Sequence, residues 1–196
     1  MLYFMRHGLT DWNIEHRIQG STDIPLNDTG RQMARDAAER YKDVQFDICF
    51  VSTLNRADET ARIFLEGRDV PMVSDARLKE MDFGIYDGSC SRTLPEDHPI
   101  YKLIKEPHLY VPDGNAESFE SLYSRITQFL NESVRPELLK GKDVLVIAHG
   151  AVNKCILSIL TKAPLEEFWT GVMRNCELLE LPSEVLKEPV EMPLKG

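Results

Sequence analysis

The chain has 196 residues, 42% of them hydrophobic and 28% charged, with a formal net charge of −9. That length suits one domain with a sizeable core. The acidic balance argues against nucleic acid or an anionic membrane as the main partner, since both favour basic faces. A small anionic substrate remains compatible, because a pocket can be basic inside an acidic protein.

The four cysteines, Cys49, Cys90, Cys155 and Cys176, are far apart and form no CxxC pair. Cys49 and Cys155 sit in apolar runs. They read as reduced core thiols, and the compartment as cytoplasmic. The apolar start lacks the basic region of a secretory leader, and no run approaches the roughly 18 apolar residues of a membrane span.

Leu2 to Met5 form an apolar run, so residues 2–7 read as a buried strand. Residues 8–28 hold Gly8, Gly20, Pro25 and several Asn and Asp, and read as a polar loop. Thr29, Gly30, Arg31 and Gln32 fit a capping box, with Asn27 as a competing N-cap. Met33, Ala34, Ala37, Ala38 and Tyr41 then recur at helical spacing. Asp47 to Val51 reads as a second buried strand. Ser52 or Thr53 is the expected cap of a helix with Ala57, Ala61, Phe64 and Leu65 on its inner face.

Residues 70–73 suggest a short third strand. From Leu78 to Pro112 the chain is irregular and rich in Gly and Pro, and its length, excessive for a plain loop, predicts short helices acting as a lid. Ser118 opens a long amphipathic helix through Leu122, Ile126 and Phe129. Val144 to Ala148 is the strongest strand, followed by His149, Gly150 and another helix through Val152, Ile156 and Ile159. Residues 177–181 suggest a last strand, and the Pro-containing tail is expected to be loosely held.

Strands thus alternate with helices, and continuous apolar strands imply a mostly parallel sheet covered on both faces. The expected fold is a three-layer α/β/α sandwich with a small inserted cap. Residues 1–181 would form one domain with 89–117 as the cap, and 182–196 the tail. Ligands of such sheets bind outside the carboxyl ends of the strands. His7 and His149 each follow a strand and precede a Gly. If the two strands are neighbours, both imidazoles reach one crevice.

Arg6 suits a phosphate or carboxylate, which its planar fork grips bidentately. His7 has three chemistries open to it: nucleophile, base or metal ligand. Arg56 begins the helix after the second strand, where phosphate binding is favoured. Each residue also has an ordinary reading, as a structural His or a surface Arg. Glu80 lies between apolar residues and before a Gly, surroundings that would raise its pKa and suit a proton donor; its ordinary reading is a solvated loop charge. A two-His zinc site has no HExxH or HxH spacing to support it, and P-loop, dinucleotide and Ser-hydrolase motifs are missing.

Several blocks occur together and in order: Arg6-His7-Gly8 with Thr10 and Asn13; Gln19-Gly20 and Asp23 to Leu26; Ser52 to Ala57 with Thr60-Ala61; Leu78 to Gly84 with Asp87-Gly88; Glu117-Ser118-Phe119; and Ala148-His149-Gly150. Over roughly residues 2–181 the chain resembles the histidine phosphatase superfamily, in its phosphoglycerate-mutase-like branch. Thr53 departs from the family's usual Pro, which should alter only a turn.

The resemblance implies that His7 is a nucleophile forming a phosphohistidine. Arg6, Arg56 and His149 would line the phosphate pocket, Asn13 and Gln19-Gly20 would contact substrate, and Glu80 would be general acid, then base. No metal or other cofactor is implied, because the arginines take the charge. The partner would be a small phosphorylated metabolite, and a homodimer is one assembly the resemblance allows. Mutases of the family carry a longer, strongly basic insert after the Glu loop. Residues 89–112 hold only Arg92, Lys102 and Lys105 as fixed cations. A phosphatase is therefore the expected activity, with a mutase as the alternative. A binding module without turnover is the alternative from another class.

Overall fold

A computed structural model describes residues 1–171 and 173–193. Its strands are β1 (Leu2–Arg6), β2 (Ile48–Ser52), β3 (Met72–Asp75), β4 (Val144–Ala148) and β5 (Leu178–Leu181). They form one sheet in the order β3-β2-β4-β1-β5. Among the described residues three of its pairings are parallel and the β1–β5 pairing is antiparallel. The helices are α1 (Asp11–Ile14), α2 (Asp28–Arg40), α3 (Asn55–Phe64), α4 (Pro99–Lys105), α5 (Phe119–Phe129), α6 (Arg135–Leu139) and α7 (Gly150–Thr161). Among the described residues no helix is long and apolar enough to cross a membrane.

The two-residue period of a strand divides the core into two layers. Leu2, Phe4, Phe50, Val144 and Val146 face α5 and α7, where they meet Leu122, Ile126, Val152 and Ile156. Tyr3, Met5, Cys49, Val51, Leu145 and Ile147 face α2 and α3, where they meet Ala34, Ala37, Ala57, Ala61 and Phe64. Both faces of β4 are covered and all five of its residues are buried. This is why its sequence is apolar throughout and does not alternate.

Three local expectations are corrected. Asn27 caps α2 by accepting the Gly30 amide at 2.8 Å. Thr29 already lies in the first turn, so the capping box centred on it does not form. Neither Ser52 nor Thr53 caps α3; its first turn is held by Asp23, which accepts the Asn55 backbone amide at 2.8 Å and the Asn55 side chain at 2.6 Å. The tail is packed through Val190: Leu186 is buried, and Asn131 exchanges hydrogen bonds with the Val190 backbone. Apolar residues between the prolines carry that packing. The long helix from Ser118 also contains a five-residue π segment, Leu130–Val134, ahead of Pro136. A proline has no amide hydrogen to continue the regular ladder.

Candidate active site

The β1 and β4 strands are neighbours in parallel register, with Arg6 opposite Ala148. The residues that follow them, His7 and His149, therefore emerge side by side. Their ring centroids lie 5.1 Å apart, and both side chains are buried. The β1 end is braced by residues 173–176: the Cys176 amide donates to the Arg6 carbonyl at 2.9 Å, and the Asn175 side chain donates to the His7 carbonyl at 2.6 Å.

His7 Nδ1 lies 2.6 Å from the Gly8 carbonyl oxygen. A carbonyl can only accept, so Nδ1 carries the proton and Nε2 keeps its lone pair. Burial, then the Arg56 and Arg6 charges, hold the His7 pKa well below its ordinary value. The ring is thus neutral and nucleophilic at neutral pH. His149 is lowered in the same way, first by burial and then by Arg56. Its Nε2 lies 2.8 Å from Ser52 Oγ, which also accepts the Leu54 amide at 3.3 Å.

Arg56 is buried although it begins a helix. Its two terminal nitrogens donate to the Thr22 and Gly20 carbonyls, each at 2.8 Å. The loop and the helix thereby hold each other, and the guanidinium is fixed between them. Thr60 completes the layer: its Oγ1 accepts the Gly8 amide at 3.0 Å and donates to the Arg56 carbonyl at 2.6 Å. Only a glycine suits position 20, where a Cβ would meet the Met81 carbonyl at 2.8 Å.

Glu80 is buried at the amino end of α7. Its oxygens accept the amides of Met81 at 2.9 Å, Ala151 at 3.1 Å and Val152 at 3.3 Å. Burial pushes its pKa up, while the amides and the Arg56 and Arg6 charges pull it down; burial outweighs them, and the net shift is upward. A carboxyl poised between these effects can hold a proton and release it.

Arg6, His7, Asn13, Gln19 and Glu80 line one cleft of about 340 Å³, with Ile100 and Leu103 of α4 on its far wall. Arg56 and His149 are fully buried and are not among the lining residues. Gly20 is not among the lining residues, and its carbonyl is spent on Arg56. Asn13 reaches the cleft, although its Oδ1 accepts the Thr10 amide at 3.0 Å and so closes the capping box of α1. Arg6 Nε, Arg56 Nε, Gln19 Nε2 and His149 Nδ1 are buried without a hydrogen-bond partner among the described residues. Leaving such a nitrogen unmatched costs about 1–3 kcal/mol. Several such nitrogens, on residues of the cleft or acting electrostatically on His7, suit an oxyanion able to accept from more than one at once.

Sequence reading missed several supporting residues. Asn175, Asn153 (whose side chain donates to the Met5 carbonyl at 3.1 Å) and Ser52 as the partner of His149 are examples. Asn153 left a signal as one of two polar residues, with Ser158, on the mostly apolar inner face of α7. Asn175 left none.

The family model described as the histidine phosphatase superfamily (branch 1) matches residues 2–185. The chain belongs to this superfamily. A relative from Methylobacterium sp. (strain 4-46), named 2,3-bisphosphoglycerate-dependent phosphoglycerate mutase, is 32% identical over 188 residues, covering 88% of each chain. The Bacillus stearothermophilus YhfR structure superposes with a TM-score of 0.83 at 31% identity, covering 97% of this chain and 94% of that one. The mycobacterial glucosyl-3-phosphoglycerate phosphatase Rv2419c, described in complex with VO3, gives a TM-score of 0.79 at 30% identity and 90% coverage of both. Phosphatases and mutases of the histidine phosphatase superfamily thus share this fold.

Proposed function

We propose that the protein hydrolyses small-molecule phosphomonoesters through a phosphohistidine at His7, with Glu80 as proton donor. The observation that carries this reading is the hydrogen bond from His7 Nδ1 to the Gly8 carbonyl, which aims a free Nε2 lone pair. In the first transfer, Nε2 bonds to phosphorus while the bond from phosphorus to the ester oxygen breaks. Glu80 gives its proton to the departing alkoxide. In the second transfer, Glu80 takes a proton from water. The resulting hydroxide displaces His7, and inorganic phosphate leaves. Arg6, Arg56 and His149, with Asn13 and Gln19, would hold the three equatorial oxygens, whose charge is largest near the transition state. The Ser52 hydroxyl, with its own amide partner, can donate to His149 Nε2 and leave the proton on Nδ1 for phosphate.

Hydrolysis is favoured over mutase activity. None of Arg92, Lys102 and Lys105 is among the residues lining the cleft. Residues 89–117 would act as the cap over it. The four cysteines, all free, fit a cytoplasmic setting.

Turnover of p-nitrophenyl phosphate, with and without EDTA, tests the reading. The protein should turn over in both and take up an acid-labile phosphoryl label. His7→Ala should lose both activities. Normal turnover by His7→Ala, or loss of the parent's activity with EDTA, would refute the mechanism.

A further inference from the structure

Beyond the phosphate end, the cleft changes character. Its remaining wall is Ile18, Phe83, Ile100, Leu103, Ile104 and Trp169. These come from four distant stretches of chain, with α4 supplying three of the six. The Trp169 indole N–H donates to the Leu103 carbonyl at 2.7 Å. Lys154 of α7 in turn binds the Thr170 carbonyl and, at 2.9 Å, the Gly171 carbonyl. The apolar wall is therefore tied to the same helix whose amino end holds Glu80.

Two arginines line the cleft, Arg6 at the phosphate end and Arg17 at the rim. Arg17 is already answered: its Nε lies 3.1 Å from Glu15, and its guanidinium lies over the Trp12 ring at 5.4 Å. A substrate carboxylate against this wall would lose hydration and meet only an arginine already shared with Glu15. An apolar ring there would gain from every carbon removed from water. Size agrees. An apolar cavity of about 150 Å³ holds one benzene ring. A cleft of about 340 Å³ accommodates a phosphoryl group and a ring beyond it.

We propose that this wall is a leaving-group subsite for an uncharged, apolar, ring-bearing alcohol, and that it discriminates against phosphoesters carrying a carboxylate near the ester oxygen. The proposal rests on the phosphomonoesterase reading above and names its substrate class.

The test compares primary alkyl esters, so that leaving-group chemistry is matched: 2-phenylethyl phosphate against 3-phosphoglycerate. The phenylethyl ester should show at least a tenfold higher kcat/KM, carried mainly by KM. Ile104 is partly exposed, and a longer side chain there has room at the rim. Ile104→Lys should narrow the ratio about tenfold, lowering kcat/KM for the ring ester and raising it for 3-phosphoglycerate. Equal or inverted preference in the parent protein, or a ratio unmoved by Ile104→Lys, would overturn the subsite. Phosphoryl labelling of His7 by p-nitrophenyl phosphate is read in parallel. A labelled protein with no ring preference sinks the subsite alone, whereas a protein that no ester labels sinks the phosphohistidine reading with it.

Discussion

Arg125 and Glu117 form an ion pair, Nε to Oε1 at 2.7 Å, whose two members grip the backbone on either side of Glu80. Arg125 Nη1 donates to the carbonyls of Arg77 and, at 2.8 Å, Lys79. Glu117 accepts the Asp82 amide on its side chain at 3.3 Å, and its own amide donates to the Asp82 carbonyl at 2.7 Å. Glu80 itself is thereby held in place from α5 and the residue just before its cap. Arg125→Ala removes half of this brace and leaves a mostly buried carboxylate unpaired, at a cost of about 1–3 kcal/mol in stability. Its kcat for alkyl phosphates, which need the proton, should fall about tenfold. Its kcat for p-nitrophenyl phosphate, which leaves as a stable anion, should fall much less. An equal fall for both esters would remove the positioning role. Arg125→Lys, which keeps the charge but not the fork, should lie between.

The pKa shifts of His7 and Glu80 set the pH response, and their signs differ. His7 is held well below its ordinary 6.5 by burial and the arginines. Activity should therefore persist on acidification past 6.5, with the acid limb lying well below it. Below 6.5 the unfolded chain binds a proton that the folded His7 refuses, so stability falls as pH drops through that window. Glu80 is raised above its ordinary 4.5 by burial. It must be protonated to donate, so kcat/KM for alkyl esters should fall as pH rises through the raised value. In the same window the folded state holds a proton that the unfolded chain has released, and the stabilisation this gives is lost as pH rises. Urea titrations of the parent protein and Glu80→Gln, compared between pH 4 and 8, separate the Glu80 contribution.

Glu80→Gln offers a second reading of the same residue. It should still be phosphorylated by p-nitrophenyl phosphate, yet be slow with alkyl esters and slow to release phosphate from His7. A variant indifferent to leaving-group quality would exclude Glu80 as the acid.

Ser52 and His149 are coupled at 2.8 Å in a fully buried layer. Ser52→Ala leaves His149 Nε2 unmatched and frees the ring to change tautomer. Loss of one such hydrogen bond corresponds to about 1.4 kcal/mol, or tenfold. The expected readout is a tenfold lower kcat/KM together with weaker inhibition by inorganic phosphate. Ser52→Thr, which keeps the hydroxyl, should retain both.

Gly30 lies inside the first turn of α2, where alanine would ordinarily stabilise a helix by up to about 1 kcal/mol. Here an added Cβ would land on the Leu9 backbone carbonyl, and the matching Cβ at Gly8 would meet the Gly30 carbonyl at 2.6 Å. Gly30→Ala should therefore destabilise by about 1–3 kcal/mol, as overpacking does. Because the displaced segment is the one following His7, activity should fall with it. A thermal melt and an assay on the same sample check both.

The strands, the longer helices and the five candidate residues Arg6, His7, Arg56, Glu80 and His149 are legible in the linear sequence, whereas the short α1 lies in a stretch that reads as loop. Buried parallel strands must be apolar on both faces, and Arg-His-Gly or His-Gly directly after such a strand stands out against that background. The sheet order was not legible: that β1 lies beside β4, bringing His7 next to His149, depends on contacts more than 140 residues apart. The cap of α3 also escaped, because the loop residue Asp23 holds its first turn and local pattern cannot register a distant oxygen. The same holds for Asn175 under His7 and for the Arg125–Glu117 brace. By itself the sequence determined which side chains are present and which end of which strand they occupy, since periodicity and turn residues are local properties. Tertiary structure alone decided which nitrogen of His7 is free, that burial keeps it neutral, and that an apolar wall faces it. Each of these depends on what surrounds the residue in space.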